Sequence, residues 1–169
     1  SRSVRCWHGH SDRSEIGSKR VSLVTCGVAV SSRADSLVDA LGWSSLPRPW
    51  LMAALRPWPT DGPRRDWERQ LRADLTITLD TTPGTLILLP FERTSDHALP
   101  DDLGWCEAFA HSLSSPSRVK VLNARLTPEE MAGLIAEGDV VLAMRRHAVI
   151  FGALAATPVV ALEYDPKVR

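Results

Sequence analysis

Residues 139–163 read DVVLAMRRHAVIFGALAATPVVALE and indicate a strand, a helix and a second strand. The apolar run 139–144 predicts a buried strand. Residues 148–156 are rich in Ala and Gly, so they predict a helix that lies close to the sheet. Pro158 favours extended backbone in the residue before it and restarts a strand. The stretch predicts a compact βαβ unit with a right-handed crossover. The helix residues expected to face the sheet are Ile150, Phe151 and Leu154.

Short apolar runs alternate with helical stretches from residue 51 onward. The predicted strands are 51–55, 85–89, 119–122, 139–144 and 158–163. Short, nearly all apolar strands separated by helices are typical of a parallel sheet covered on both faces. The sequence therefore predicts an α/β fold, a Rossmann-like parallel sheet with helices on both faces.

Periodic apolar residues and capping signals predict the helices. Four-residue steps of apolar side chains predict helices over 65–79 and 101–113, and Thr127, Pro128 and Glu130 form a helix start with a capping box. The apolar residues of these three helices are Trp67, Leu71, Leu75 and Leu79; Trp105, Phe109 and Leu113; and Met131, Leu134 and Ile135. Nearer the N-terminus, 20–30 is a candidate strand and 35–41 a short helix closed by Gly42.

Composition bounds the class of protein. The 169 residues are 44% hydrophobic and 24% charged, with 20 Lys and Arg against 20 Asp and Glu, which is typical of a globular chain and argues against a broad nucleic-acid-binding surface. No apolar run is long enough to span a bilayer. Three widely spaced cysteines argue against a disulfide framework and favour a reducing, cytoplasmic compartment.

Domain organisation is clearest in the C-terminal part. Residues 47–169 are expected to form the Rossmann-like domain, and residues 1–46 a poorly defined segment, the remnant of an N-terminal domain. Prolines cluster around residues 47–63 at this junction. The chain has no initial Met and stops just after a predicted strand, so we expect it to be a piece of a longer protein, with an incomplete C-terminal domain.

Arg145, Arg146 and His147 follow the fourth predicted strand and begin a helix. In open α/β sheets, ligands bind outside the carboxyl ends of the strands, where helix N-termini favour anions. Arginine binds carboxylate or phosphate through paired hydrogen bonds, and histidine binds the same anions or transfers a proton. The three residues therefore predict an anion site. The alternative is that both arginines are solvated turn residues and His147 is only a helix-start residue.

Other candidate residues follow neighbouring strands. Arg56 ends the first predicted strand and would face the same crevice if the two strands are neighbours. Asp96 follows the second strand and is a candidate for sugar binding or acid–base chemistry. Tyr164 and Lys167 follow the last strand. Each of these has a structural alternative, a solvated loop or an Asp-Pro turn.

Several catalytic and cofactor motifs are absent from the sequence. Cys6, His8 and His10 have no fourth ligand at zinc-finger spacing, so no metal site is predicted. There is no glycine-rich phosphate loop of the Walker or dinucleotide type, and no Gly-x-Ser-x-Gly elbow. We expect no cofactor and no serine hydrolase chemistry.

The segment 139–168 closely resembles the polysaccharide pyruvyl transferase family, especially its CsaB-like bacterial cell-wall branch. In that family a strand, an Arg-Leu-His-Ala helix start, a Pro-Val-Val strand and Tyr-Asp-Pro-Lys-Val follow in this order. Residues 126–135 resemble the family's preceding helix, 55–58 its Leu-Arg-Pro-Trp, and 88–91 its Leu-Pro-Phe. The resemblance covers about residues 51–168, and more faintly 28–42.

The resemblance implies a two-domain fold similar to the glycosyltransferase B type, of which this chain holds the C-terminal half. It implies transfer of the enolpyruvyl unit of phosphoenolpyruvate to a cell-wall or exopolysaccharide sugar as a pyruvate ketal. Arg145 and His147 match the family's Arg-x-His, which engages phosphoenolpyruvate, and Arg56 matches a further arginine that binds the same anion. Asp96, Tyr164 and Lys167 are expected to bind substrate.

Arg146 departs from the family's usual leucine, so its charged side chain must face solvent or ligand. The expected partners are phosphoenolpyruvate and a saccharide acceptor, free or lipid-linked. The expected location is the cytoplasm, in solution or at the inner face of the membrane. Two alternatives stay open: a non-catalytic fragment that binds a sugar phosphate or nucleotide, and a glycosyltransferase that uses a nucleotide-sugar.

Overall fold

The computed structural model describes residues 15–16, 19–20, 23–24, 33–57, 65–92 and 101–162. Five α-helices lie in this part of the chain: α1 Arg33–Ala40, α2 Arg65–Thr81, α3 Asp102–His111, α4 Pro128–Ala136 and α5 Arg146–Leu154. The described strands are β1 Glu15–Ile16, β2 Lys19–Arg20, β3 Leu23–Val24, β4 Trp50–Ala54, β5 Thr85–Leu88, β6 Val119–Val121, β7 Val140–Ala143 and β8 Val159–Ala161. All five strands predicted from residue 51 onward are confirmed, with ends that differ by one or two residues.

The main sheet has the order β3-β8-β7-β4-β5-β6. The five strands β4 to β8 pair in parallel, and only the short edge strand β3 is antiparallel, against β8. The chain runs outward from β4 through β5 to β6, and then returns to the other side of β4 for β7 and β8. This is a Rossmann-like strand order, with its topological switch point between β4 and β7. The predicted fold class is confirmed.

Two apolar layers cover the faces of the sheet, because alternate residues of a strand point to opposite sides. Met52 and Ala54 of β4 join one layer with residues of α1, α4 and α5. Ala53 and Leu55 join the other layer with residues of α2 and α3. All four side chains are fully buried. Burial on both faces explains why these strands are continuously apolar rather than alternating.

The predicted helix signals are confirmed in detail. Thr127 caps α4 by accepting a hydrogen bond from the Glu130 amide, and the Glu130 side chain accepts one from the Thr127 amide. The predicted apolar residues of α2, α3 and α4 all lie in the two core layers. Helix α1 starts two residues earlier than predicted, and Gly42 follows it at φ +69°, a left-handed conformation that favours glycine.

Helix α5 faces the sheet with its smallest residues, not with its largest. Ala148 and Gly152 are buried, whereas Ile150 is 43% and Leu154 48% exposed. The prediction that Ile150 and Leu154 face the sheet is therefore wrong, while Phe151 packs against the core layer of α1 and α4. Close approach is the reason: a Cβ at Gly152 would lie 2.4 Å from Cγ2 of Val159 in β8. A helix this close to the sheet has room only for small residues between them.

The N-terminal part of the chain adds short strands. β1 pairs with β2, and β3 joins the main sheet, so part of the candidate strand 20–30 is observed at Leu23–Val24. Val38 of α1 and Trp43 pack in the same layer as Trp50. The domain boundary at residues 46 and 47 stays a prediction, because most of residues 1–32 lie outside the described part. None of the described helices is long and apolar enough to cross a membrane.

The contact between Gly152 and Val159 predicts the effect of a single methyl group. Gly152→Ala should lower the free energy of unfolding by about 1–3 kcal/mol through overpacking, although alanine favours helix formation over glycine by ~1 kcal/mol. Urea denaturation measures the change. The double variant Gly152→Ala with Val159→Ala should recover part of the loss, and a loss that Val159→Ala does not reduce would contradict the proposed steric origin.

Cys106 of α3 is fully buried, and this burial, with the nearby Asp102 carboxylate, raises the pKa of its thiol to about 12. The thiolate is the nucleophile, so folded protein should keep this thiol protonated and unreactive at pH 8. A variant with Cys6 and Cys26 replaced by serine should react with Ellman's reagent only after unfolding in urea. Fast labelling of that folded variant would contradict the burial.

Candidate functional site

The turns after β4 and β7 lie side by side at the carboxyl edge of the sheet. Ala54 pairs with Ala143, and the Met144 amide donates to the Ala54 carbonyl at 2.9 Å. Arg56 and Arg145 each lie two positions beyond this pair. The sequence predicts that Arg56 faces the same crevice as Arg145 if their two strands are neighbours. The strands β4 and β7 are neighbours, and they meet at the switch point, where open α/β sheets bind ligands.

Arg145 is the N-cap of α5 and is held by two carboxylates. Its Nη2 lies 2.5 Å from both carboxylate oxygens of Asp102, and its Nη1 lies 3.0 Å from Oε2 of Glu92. The Arg145 side chain is only 15% exposed. The guanidinium is therefore not a solvated turn group, and in this structure its two outer nitrogens are already engaged by anions from the chain itself.

Asp102 is the structural centre of this arrangement. Its side chain is 3% exposed, and Oδ2 accepts hydrogen bonds from the amides of Phe91 and Glu92 at 3.2 and 3.0 Å. Because Asp102 is the first residue of α3, one carboxylate joins three segments: the end of β5, the start of α3 and the start of α5. A buried charge is stable only when paired and hydrogen-bonded, and Asp102 satisfies both conditions.

The N-terminus of α5 is electrostatically different from those of α3 and α4. Asp101 caps α3 and the capping box of Thr127 and Glu130 closes α4, and both helices carry acidic residues in their first turn. Helix α5 has neither a side-chain cap nor an acidic residue there. Its free N–H groups and the positive end of its dipole favour an anion. Exposed His147 lies in this first turn.

Arg146 is exposed, as expected from the sequence for its charged side chain. It lies beside the edge of the sheet without entering the core. The three residues 145–147 therefore differ in environment: Arg145 is enclosed by carboxylates, and the two that follow it are open.

A cleft of about 760 Å³ opens next to His147, between the carboxyl ends of β5 and β6 and the first turns of α4 and α5. Phe91, Phe151 and His147 form a continuous set of rings along it, with centroid distances of 6.4 Å from Phe151 to each of the other two. Ligand sites in proteins are typically apolar clefts of ~300–1,000 Å³ with a few polar groups. The residues that line the cleft are Pro90, Phe91, Glu92, Ala124, Arg125, Leu126, Thr127, Pro128, Met131, His147 and Phe151.

The sequence predicted some of the residues at the carboxyl edge of the sheet and missed others. Arg56, Arg145 and His147 lie at the same sheet edge, while Asp96, Tyr164 and Lys167 lie outside the described residues, as do Cys6, His8 and His10. Among the described residues, no group of three His, Cys, Asp or Glu side chains could hold a metal ion. Glu92, Asp102 and Arg125 were not predicted as site residues. Glu92 and Asp102 are separated from Arg145 by 53 and 43 positions, so no local spacing signals their pairing.

These features define a Rossmann-like α/β protein with cations and an uncapped helix N-terminus at the carboxyl edge of its sheet. A family model described as polysaccharide pyruvyl transferase matches residues 34–166. The chain belongs to the polysaccharide pyruvyl transferase family, a family of transferases. No curated protein and no solved structure matched the chain.

The burial of Asp102 predicts a large effect of its removal on stability. Asp102→Ala should lower the free energy of unfolding by about 3–5 kcal/mol, because it leaves the Arg145 guanidinium buried without its main partner and removes the acceptor of two amides. Urea denaturation at pH 7 measures the loss. Glu107→Ala, an exposed carboxylate in the same helix, is the control and should change stability by no more than about 0.5 kcal/mol. Equal stability of the Asp102 variant and the control would contradict the structural role.

Proposed function

We propose that this protein transfers the enolpyruvyl unit of phosphoenolpyruvate to a cell-wall or exopolysaccharide sugar, where it forms a pyruvate ketal. Membership of the family supports pyruvyl transfer to a polysaccharide. The observation that carries the proposal is the position of Arg145 and His147 at an uncapped helix N-terminus beside a cleft. Such an arrangement suits a small substrate with two acidic groups.

The donor would bind at the start of α5. In this proposal its phosphate accepts hydrogen bonds from the free amides of the first turn, and its carboxylate binds the guanidinium of Arg145. Arg56, two residues beyond β4, adds positive charge from the neighbouring strand. The first turn of α5 contains no acidic residue of its own, and the positive end of its dipole favours an anion.

The acceptor would bind in the rest of the cleft. Phe91 and Phe151 offer apolar ring faces on which the C–H face of a sugar can pack, and Arg125 and His147 offer hydrogen bonds to hydroxyl groups. Asp96, Tyr164 and Lys167 remain predicted substrate-binding residues. In the two-domain arrangement that the resemblance implies, the second domain would face this edge. The acceptor, free or lipid-linked, would be modified in the cytoplasm or at the inner face of the membrane.

The reaction balances without a cofactor. A proton is added to the methylene carbon of phosphoenolpyruvate, which becomes the methyl group, and the oxygen of the first sugar hydroxyl bonds to the central carbon. A second hydroxyl of the same sugar then bonds to that carbon, and the bond from the carbon to the phosphate oxygen breaks. One hydroxyl proton replaces the donated proton, and the other leaves with phosphate. Arg145 and Arg56 would stabilise the charge that moves onto phosphate.

His147 has two candidate roles, proton donor to the methylene carbon or ligand of the anion, and His147→Gln separates them. Glutamine still donates a hydrogen bond but transfers no proton. The wild-type chain should be stabilised by about 2.7 kcal/mol when phosphoenolpyruvate is present at 100 times its Kd. If His147 is the acid, the variant should keep this thermal shift and lose ~10²–10⁴-fold in phosphate release with hexose or N-acetylhexosamine oligosaccharides as acceptors. If it is an anion ligand, the thermal shift itself should fall.

His111→Gln, the same change on an exposed part of α3, is the matched control and should keep both binding and phosphate release. A thermal shift without phosphate release from any acceptor would favour the non-catalytic alternative. A shift with a nucleotide-sugar and none with phosphoenolpyruvate would favour a glycosyltransferase and overturn the proposal.

A further inference from the structure

The two carboxylates that hold Arg145 are unequal. Asp102 is 3% exposed and also binds the amides of Phe91 and Glu92, so it is fixed in the core. The Glu92 side chain is 51% exposed and contacts the guanidinium through one oxygen, at 3.0 Å. A half-exposed ion pair of this kind contributes little to stability, because water screens it. Glu92 can therefore leave Arg145 at little cost, whereas Asp102 cannot.

The difference between Glu92 and Asp102 matters because of the charges around Arg145. One guanidinium against two carboxylates leaves the Arg145 group with a net negative charge, and the N-terminus of α5 contributes only about half a positive charge. A multiply charged anion that approaches Arg145 is repelled by Glu92 as long as Glu92 stays in place. The outward nitrogen Nη1, which a ligand carboxylate or phosphate would use, is the nitrogen that Glu92 occupies.

Glu92 is also placed to move aside. It is one of the residues that line the cleft, so its side chain has open volume beside it. Its backbone amide is anchored by Asp102 at 3.0 Å, which fixes the main chain while the side chain can change rotamer. Arg125, exposed on the same cleft, offers another cation for the released carboxylate.

We propose that Glu92 is an internal competitor of the substrate: its carboxylate occupies Arg145 in the unliganded protein, and the carboxylate or phosphate of the donor displaces it. Glu92 then sets the affinity of the site for its anion. The identity of that anion as phosphoenolpyruvate rests on the proposed function, but the competition itself needs only an anion that binds Arg145. Asp102 acts differently, as a positioning residue that keeps the guanidinium in place throughout.

Glu92→Gln tests the competition because glutamine keeps the size of the side chain and removes its charge. Isothermal titration with phosphoenolpyruvate should give a Kd about threefold to tenfold lower in the variant than in the wild-type chain, and inorganic phosphate should show the same direction. Glu107→Gln makes the same charge change on an exposed position of α3 away from the cleft, and its Kd should equal that of the wild type. Urea denaturation of each variant checks that folding is unchanged, and Glu92→Ala provides a second neutral variant.

An equal or weaker affinity of both Glu92 variants for both anions would overturn the proposal, as would the absence of anion binding in every variant. An equal gain in Glu107→Gln would overturn it too, because the effect would then be one of net charge. Tighter phosphate binding in the Glu92 variants without any binding of phosphoenolpyruvate would support the competition and reject the proposed donor. The experiment therefore distinguishes failure of the Glu92 competition from failure of phosphoenolpyruvate as the proposed donor.

Discussion

The arrangement at the carboxyl edge depends on the buried ion pair between Arg145 and Asp102. A carboxylate that is 3% exposed is costly to bury alone, and so is a guanidinium that is 15% exposed, so each requires the other. The pair ties the start of α5 to the start of α3, although these helices cover opposite faces of the sheet. The segment that follows β5 is attached to the same carboxylate by the backbone amides of Phe91 and Glu92. The turns around the cleft are thus held by charge as well as by packing.

The close contact of α5 with β8 sets the position of this helix. Because Gly152 lies against Val159, the axis of α5 is nearer to the sheet than a helix with a larger residue there would allow. The same approach leaves Ile150 and Leu154 on the outer face and directs Phe151 toward Phe91 and the cleft. His147, one turn before Phe151, then lies at the edge of the cleft. The small residues Ala148 and Gly152 therefore determine both how the middle of α5 packs on the sheet and where His147 lies at its start.

The sequence predicted the fold well because its signals are local. Continuous apolar runs identify strands buried on both faces, and Thr127, Pro128 and Glu130 identify a helix start by short-range hydrogen bonds. The sheet-facing side of α5 was predicted wrongly because hydrophobicity favours Ile150 and Leu154 as core residues. The short distance between the helix and the sheet decides instead which residues fit between them. Arg145 and His147 were found as candidates from their place after a strand. The pairing of Arg145 with Glu92 and Asp102 was not found, since it joins residues that are far apart in the chain.

The two carboxylates on Arg145 differ in a way that would let one arginine serve both folding and the proposed anion binding. The contact with Asp102 satisfies Nη2 of the guanidinium and need not change when a ligand arrives. The contact with Glu92 satisfies the outer part in a way that costs little to break, because half of the Glu92 side chain is already in water. If Arg145 had no outer partner, its Nη1 beside an uncapped helix N-terminus would be open to any anion in solution. A weakly held carboxylate lowers that general affinity, so an anion must offset the loss of Glu92 with further contacts, such as those available at His147 and the free amides of α5. Under the proposed competition, selectivity for a ligand with two acidic groups over one with a single acidic group would follow from this requirement.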